Sequence, residues 1–159
     1  MSKGNYVNMK NFTLLFVCSG NTCRSPMAEG IFNARAAKEL PGTKAVSCGL
    51  SAIEGSPASE NAISEAARYG ADLSGHAARA VSEELVAGAG LVFAMTEVQA
   101  QAMRLRYPDH ATRVGTLEAG EGIADPFGGG HSVYSETAAQ IYRAVERLIQ
   151  RLKRGERAP

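Results

Sequence analysis

The segment that most restricts this chain is Phe12 to Cys18 (FTLLFVC), an unbroken apolar run of β-favouring residues that ends on a cysteine. A strand with one wet face alternates apolar and polar residues, whereas a continuous run needs cover on both faces. Helices supply that cover when they pack on the two sides of a parallel sheet. Directly after the run the sequence turns polar, Ser19-Gly-Asn-Thr-Cys-Arg24-Ser25, and Pro26 suits the first position of a helix. Strand, loop and helix are expected in immediate succession.

The rest of the chain repeats this alternation. Met27, Ala28, Ile31 and Phe32 form a stripe at helical spacing that ends near Leu40-Pro41-Gly42. Lys44 to Leu50 reads as a second strand, and Ala58 to Tyr69 as a helix closed by Gly70. Ala77 to Val81 is a short candidate strand, Ser82 caps a short helix, and Leu91 to Met95 is another buried strand. Thr96 is expected to cap a helix that uses Val98, Ala102 and Leu105 and stops at Pro108. Arg113 to Leu117 is a brief extended segment, and the glycine- and acid-rich stretch Glu118 to His131 reads as a loop. Glu136 to Leu152 closes the chain as a helix with Ile141, Val145, Leu148, Ile149 and Leu152 on one face. The pattern predicts one three-layer α/β domain over residues 12–153, with a loose leader at 1–11 and a tail at 154–159.

A chain of 159 residues can bury a core that needs no staples. Its formal net charge of +1 gives no reason to expect a nucleic acid or an acidic membrane as partner. The basic stretch Arg147 to Arg157 reads as a solvated face continuing a helix. No apolar run is long enough for a bilayer, and the first residues, MSKGNYVNMK, lack the apolar stretch of a signal peptide. The three cysteines, Cys18, Cys23 and Cys48, are an odd number that fits reduced thiols and a cytoplasmic location. His76, His110 and His131 do not form a ligand cluster, His131 reads as a surface residue near the acidic loop, and no metal or other cofactor is expected.

Ligands of such sheets bind at the carboxyl ends of the strands, where the Cys18 to Ser25 loop stands. Backbone N–H groups turned inward make a nest, and the dipole of the next helix adds positive potential. Both stabilise negative charge, whether a phosphate or the Cys18 sulfur carries it. Gly20 and Asn21 are residue types that tolerate the positive φ of a tight cradle. Arg24, six positions after Cys18, can hold two phosphoryl oxygens and take up transition-state charge. Ser25 can donate a hydrogen bond to the sulfur. The pattern points to Cys18 as a nucleophile attacking phosphorus; a Gly-Lys-Ser/Thr nucleotide loop and a dinucleotide fingerprint are both absent from this stretch.

At VCSGNTCRSPMAEGIF (Val17 to Phe32) the chain resembles the low-molecular-weight protein tyrosine phosphatase family. The likeness continues at LVFAMT (Leu91 to Thr96) and ADPFGG (Ala124 to Gly129) and covers Thr13 to Leu152. The resemblance implies a four-stranded parallel sheet flanked by helices, a phosphorylated protein substrate, inorganic phosphate as product, and no metal. It implies Cys18 as nucleophile, Arg24 as phosphate ligand within Ser19, Gly20, Asn21, Thr22, Cys23 and Ser25, and Asp125 as general acid. Asp125 fits that role chemically, since a basic leaving group needs a proton and the glycine-flanked loop can carry a carboxyl over the phosphate. The same carboxylate can then activate water against the phosphocysteine.

Within the family the chain leans towards members resembling bacterial protein arginine phosphatases. Thr22 stands where tyrosine-directed members commonly carry an apolar residue, and Asp125 is followed by Pro126-Phe127-Gly128-Gly129 in place of a tyrosine-containing segment. Thr22 and Phe127 are therefore the specificity candidates, with phosphotyrosine the alternative substrate. A thioredoxin-linked arsenate reductase uses the same loop but needs two further relay cysteines, and only Cys48 lies beyond this loop. A non-catalytic phosphoprotein binder would tolerate loss of Cys18, Arg24 or Asp125, all of which are present. Cys23 is expected either to pack beneath the loop or to form a reversible disulfide with Cys18, and Cys48, in Ser47-Cys48-Gly49, to be buried and inert.

Overall fold

In the computed structural model, which describes residues 11–159, Phe12–Cys18 is a strand (β1) with a parallel neighbour on each side. Thr43–Gly49 (β2) pairs along one edge and Leu91–Ala94 (β3) along the other, while Val114–Thr116 (β4) pairs outside β3. The order is β2-β1-β3-β4, the four-stranded parallel sheet that the family resemblance implied. In this register Cys18 lies beside Gly49 and Val17 beside Ala94.

The apolar run is continuous because successive residues enter two different cores. Leu14, Phe16 and Cys18 face Met27, Ile31 and Phe32 of Arg24–Glu39 (α1) and Ile141, Val145 and Leu148 of His131–Lys153 (α5). Leu15 and Val17 face Val86 of Glu83–Ala87 (α3) and Met103 of Glu97–Arg106 (α4). Phe16 meets Phe32 edge-on at 6.0 Å and Phe93 at 6.2 Å between ring centroids, at the middle of the larger core. Burying one such ring stabilises the fold by about 1.5–3 kcal/mol.

Several boundaries move. Helix α1 begins at Arg24, not Pro26, so Pro26 sits inside the first turn, where its missing N–H costs no hydrogen bond. The helix expected over Ala58 to Tyr69 is Glu60–Ala67 (α2), capped by the Ser59 hydroxyl, which accepts from the Ala62 N–H. The Ala77 to Val81 strand reduces to one bridge between Gly49 and Ala80. Ser82 and Thr96 cap as expected, Thr96 in a reciprocal pair with Gln99.

The inner face expected for α4 is wrong. Val98 and Leu105 are 79% and 84% exposed, while Gln99, Ala100 and Met103 point inward. The capping pair accounts for this, because a Gln99 that reaches back to its own N-terminus must sit on the side facing the sheet. Helix α5 starts at His131, well before Glu136, on a Gly130 that offers no capping side chain for a sequence to reveal.

The basic end is paired rather than merely solvated: Arg147 with Glu118, Lys153 with Glu39, and Arg151 and Arg154 with Glu156. Pro159 packs so closely on Gly115 that a side-chain carbon there would lie 2.6 Å from it. Among the described residues no helix is long and apolar enough to cross a membrane.

Candidate active site

The last residue of β1 and the first turn of α1 bound a tight loop. Asn21 holds its bend at φ +56°, and Gly20, expected to share that role, is not in the left-handed region. The Asn21 side chain compensates for this conformation by bonding outward. Its Nδ2 donates to Ser25 Oγ at 2.8 Å and to Ser47 Oγ at 2.9 Å, and its Oδ1 accepts from the Arg79 N–H at 3.0 Å. The Asn21 carbonyl lies 2.7 Å from His76 Nε2; a carbonyl only accepts, so that nitrogen carries the hydrogen. Ser47 passes the chain on to Glu29 at 2.8 Å.

The Cys18 sulfur lies at the bottom of this loop. It is 2.9 Å from Ser25 Oγ and accepts the Asn21 backbone N–H at 3.3 Å. Helix α1 starts with no side-chain cap and no acid in its first turn, so its positive end faces the same space. One side chain and one backbone group hold the rim. Gln99 Nε2 donates to Ser19 Oγ at 3.1 Å, and the Ser59 N–H donates to the Thr22 carbonyl at 2.9 Å. Gly49 lies so near the loop that a Cβ would stand 2.6 Å from the Ser19 carbonyl oxygen, which excludes every other residue there.

Arg24 is buried and donates through Nη1 to the Ile123 carbonyl at 2.9 Å, leaving Nη2 3.6 Å from Asp125 Oδ2. Asp125 comes from the glycine-rich segment, where its Oδ1 accepts from the Phe127 N–H at 3.1 Å and closes a small turn. Cys18, Gly20, Asn21, Thr22, Cys23, Arg24, Asp125 and Phe127 together line one cavity of about 160 Å³. Candidates from distant parts of the chain thus meet in one small cup, while Ser19 and Ser25 lie in the same loop but not on the cavity wall.

Cys23 lies on the inner side of the loop, with its sulfur 3.2 Å from Tyr134 OH and 3.5 Å from Ser59 Oγ. Burial, and then the hydrogen bond with Cys23, raise the Tyr134 phenol above its ordinary value, so it stays neutral. All three cysteines are free thiols. Cys48 is enclosed, and burial pushes its thiol up to about 12. His76, Ser47, Glu29, Arg79 and Tyr134 support the loop yet have no local signature, each acting through a contact made only in the folded chain, whereas Gln99 stands three residues after Thr96, the spacing of a reciprocal helix cap.

A sulfur that accepts a loop amide at the carboxyl end of a central parallel strand, facing a helix N-terminus with an arginine and a carboxyl beside the same cavity, is the arrangement a cysteine-dependent phosphatase needs. The chain belongs to the low molecular weight phosphotyrosine protein phosphatase family, whose pattern matches residues 13–158. It is 34% identical over 144 residues to the probable low molecular weight protein-tyrosine-phosphatase EpsP of Ralstonia nicotianae, covering 89% of this chain and 96% of that protein. It is 32% identical over 149 residues to the protein-arginine-phosphatase of Bacillus subtilis, covering 91% and 99%. The crystal structure of a low molecular weight protein tyrosine phosphatase from T. tengcongensis superposes with a TM-score of 0.84 at 39% identity, covering 88% of this chain and 99% of that one. The protein is therefore a cysteine-dependent protein phosphatase acting on phosphorylated protein.

Proposed function

We propose that this phosphatase hydrolyses phosphoarginine in proteins through a phosphocysteine formed on Cys18. The observation that carries the reading is Thr22, which lines the same small cavity as Cys18, Arg24, Asp125 and Phe127. A hydroxyl there can accept a hydrogen bond from a guanidinium N–H, which a branched aliphatic side chain cannot. Asp125 stands at the open rim, half exposed, where its two oxygens can meet a planar guanidinium. The Bacillus subtilis relative named a protein-arginine-phosphatase supports the same substrate class.

In this mechanism Cys18 Sγ attacks phosphorus in line with the departing nitrogen. The loop amides and Arg24 take the charge that spreads over the equatorial oxygens. Asp125 gives its proton to the leaving nitrogen as the P–N bond breaks. The resulting carboxylate then takes a proton from water, whose oxygen displaces sulfur from phosphorus. Ser25 donates to the sulfur as it leaves, and inorganic phosphate and the regenerated thiolate are the products.

Phosphotyrosine is the second reading, favoured by Phe127. Its ring is 79% exposed on the cavity wall and offers a surface against which a tyrosyl ring can stack. The Ralstonia relative named a tyrosine phosphatase supports that reading. The deciding experiment compares kcat/KM for phosphoarginine and phosphotyrosine in peptides of identical flanking sequence. The expected result is a clear preference for phosphoarginine that Thr22→Ile reverses; a preference for phosphotyrosine in the unaltered enzyme overturns the proposal.

A further inference from the structure

Glu65 is a carboxylate on the buried face of a short helix. It shares that face of α2 with Ala62 and Ala66, and its side chain is fully enclosed. A buried charge needs partners. Its Oε2 accepts from Arg68 Nη1 at 3.2 Å. Its Oε1 has no hydrogen-bond donor among the described residues, although His131 Nε2 stands 3.0 Å away. That second contact is a close approach without hydrogen-bond alignment, and it is ionic only while the imidazole carries a proton.

Both partners lead to one place. His131 is the first residue of α5, and Arg68 Nη1 also donates to Ser135 Oγ, one turn further along, at 3.3 Å. Helix α5 starts on a glycine with no side-chain cap and carries no acid in its first turn. Glu65 supplies from α2 the negative charge that this helix end lacks. Immediately upstream lies the segment that bears Asp125, and it reaches α5 through Gly128, Gly129 and Gly130. The link is short and folded: the Gly129 N–H donates to the Pro126 carbonyl at 2.8 Å, the Phe127 N–H donates to Asp125 Oδ1 at 3.1 Å, and Gly128 turns the chain at φ +79°. Where α5 begins therefore sets how far Asp125 can reach towards Arg24.

We propose that Glu65, with His131 and Arg68, is a positioning residue for the general acid: an ionic latch that fixes the start of α5 and the reach of Asp125 over the loop. This rests on Asp125 being that acid. The effect is indirect, through helix placement, and none of the latch residues lines the phosphate cavity.

The test uses the full chain and a series of aryl phosphates graded in leaving-group basicity. Glu65→Gln and, separately, His131→Gln should lower kcat/KM about tenfold for the most basic leaving groups and little for the least basic. Inhibition by inorganic phosphate should not change, because the cavity itself is intact. His131→Lys should restore the wild-type series, and Glu65→Gln should add nothing in an Asp125→Ala background. A uniform loss across the series, with Asp125→Ala showing its own leaving-group dependence, overturns the latch alone. If Asp125→Ala shows no such dependence, the acid assignment falls and the latch with it. His131 is 65% exposed, so its variants test the idea even where Glu65→Gln fails to fold.

Discussion

Ser25 Oγ stands 2.9 Å from the Cys18 sulfur while accepting the Asn21 side-chain N–H at 2.8 Å. With an oxygen lone pair engaged by Asn21, the serine hydrogen is free to point at sulfur. The hydroxyl has two acceptors in reach, the sulfur proposed to leave in the second half of the reaction at 2.9 Å and the Cys48 carbonyl at 3.5 Å, and the sulfur is the nearer.

Ser25→Ala removes a hydrogen bond to a charged sulfur, worth about 1.5–3 kcal/mol. Breakdown of the phosphocysteine should slow roughly ten- to hundredfold. Rapid-mixing kinetics with an aryl phosphate would check this: the burst of leaving group should become more pronounced as the steady rate falls. An unchanged ratio of burst to steady rate counts against the role of Ser25.

Cys18→Ser should abolish turnover, since the hydroxyl is a far weaker nucleophile at neutral pH. Asp125→Ala should lower kcat by roughly 10²–10⁴-fold while the substrate still binds. Equilibrium binding of a phosphopeptide to each variant separates loss of chemistry from loss of affinity. Full activity in Cys18→Ser would remove the proposed mechanism.

Asn21→Gly and Asn21→Ala separate two functions of one residue. Glycine adopts φ +56° freely, whereas alanine there costs about 1–2 kcal/mol, and both lose the bonds to Ser25, Ser47 and Arg79. The glycine variant should keep the higher Tm and the higher kcat of the two. Equal values would mean that the hydrogen bonds alone matter.

Cys48 predicts an alkaline weakness. Its thiol is held up to about 12 in the folded protein against an ordinary 9. Above pH 9 the unfolded chain releases this proton while the folded one keeps it, so the contribution is complete below that pH and lost on the way to 12. The slope is at most about 1.4 kcal/mol per pH unit. Urea unfolding at several alkaline pH values should show a shallower decline for Cys48→Ala than for the unaltered chain.

The parts of this architecture written in local pattern could be read from sequence. FTLLFVC announces a doubly covered strand because both of its faces are apolar, and the Cys18 to Ser25 spacing announces a loop around an anion. The inner face of α4 is not in the apolar period; its one local mark is the capping spacing of Thr96 and Gln99. Val98 and Leu105 look like core residues until Gln99 turns inward to cap its own helix and steady Ser19. His76 was opaque, since nothing near it in the chain states that its ring will meet the Asn21 carbonyl. Local periodicity reports which residues avoid water; it does not report which polar residue will be enclosed to support a strained turn.

The central place of β1 has a consequence for how the enzyme fails. Paired on both edges and covered on both faces, the strand that presents Cys18 can open only when most of the domain opens with it. Asp125 rides on an exposed stretch with few ties. Mild heat or denaturant should therefore yield a protein that still captures phosphate but turns over slowly, a competitor for its own substrate, before it yields an unfolded chain.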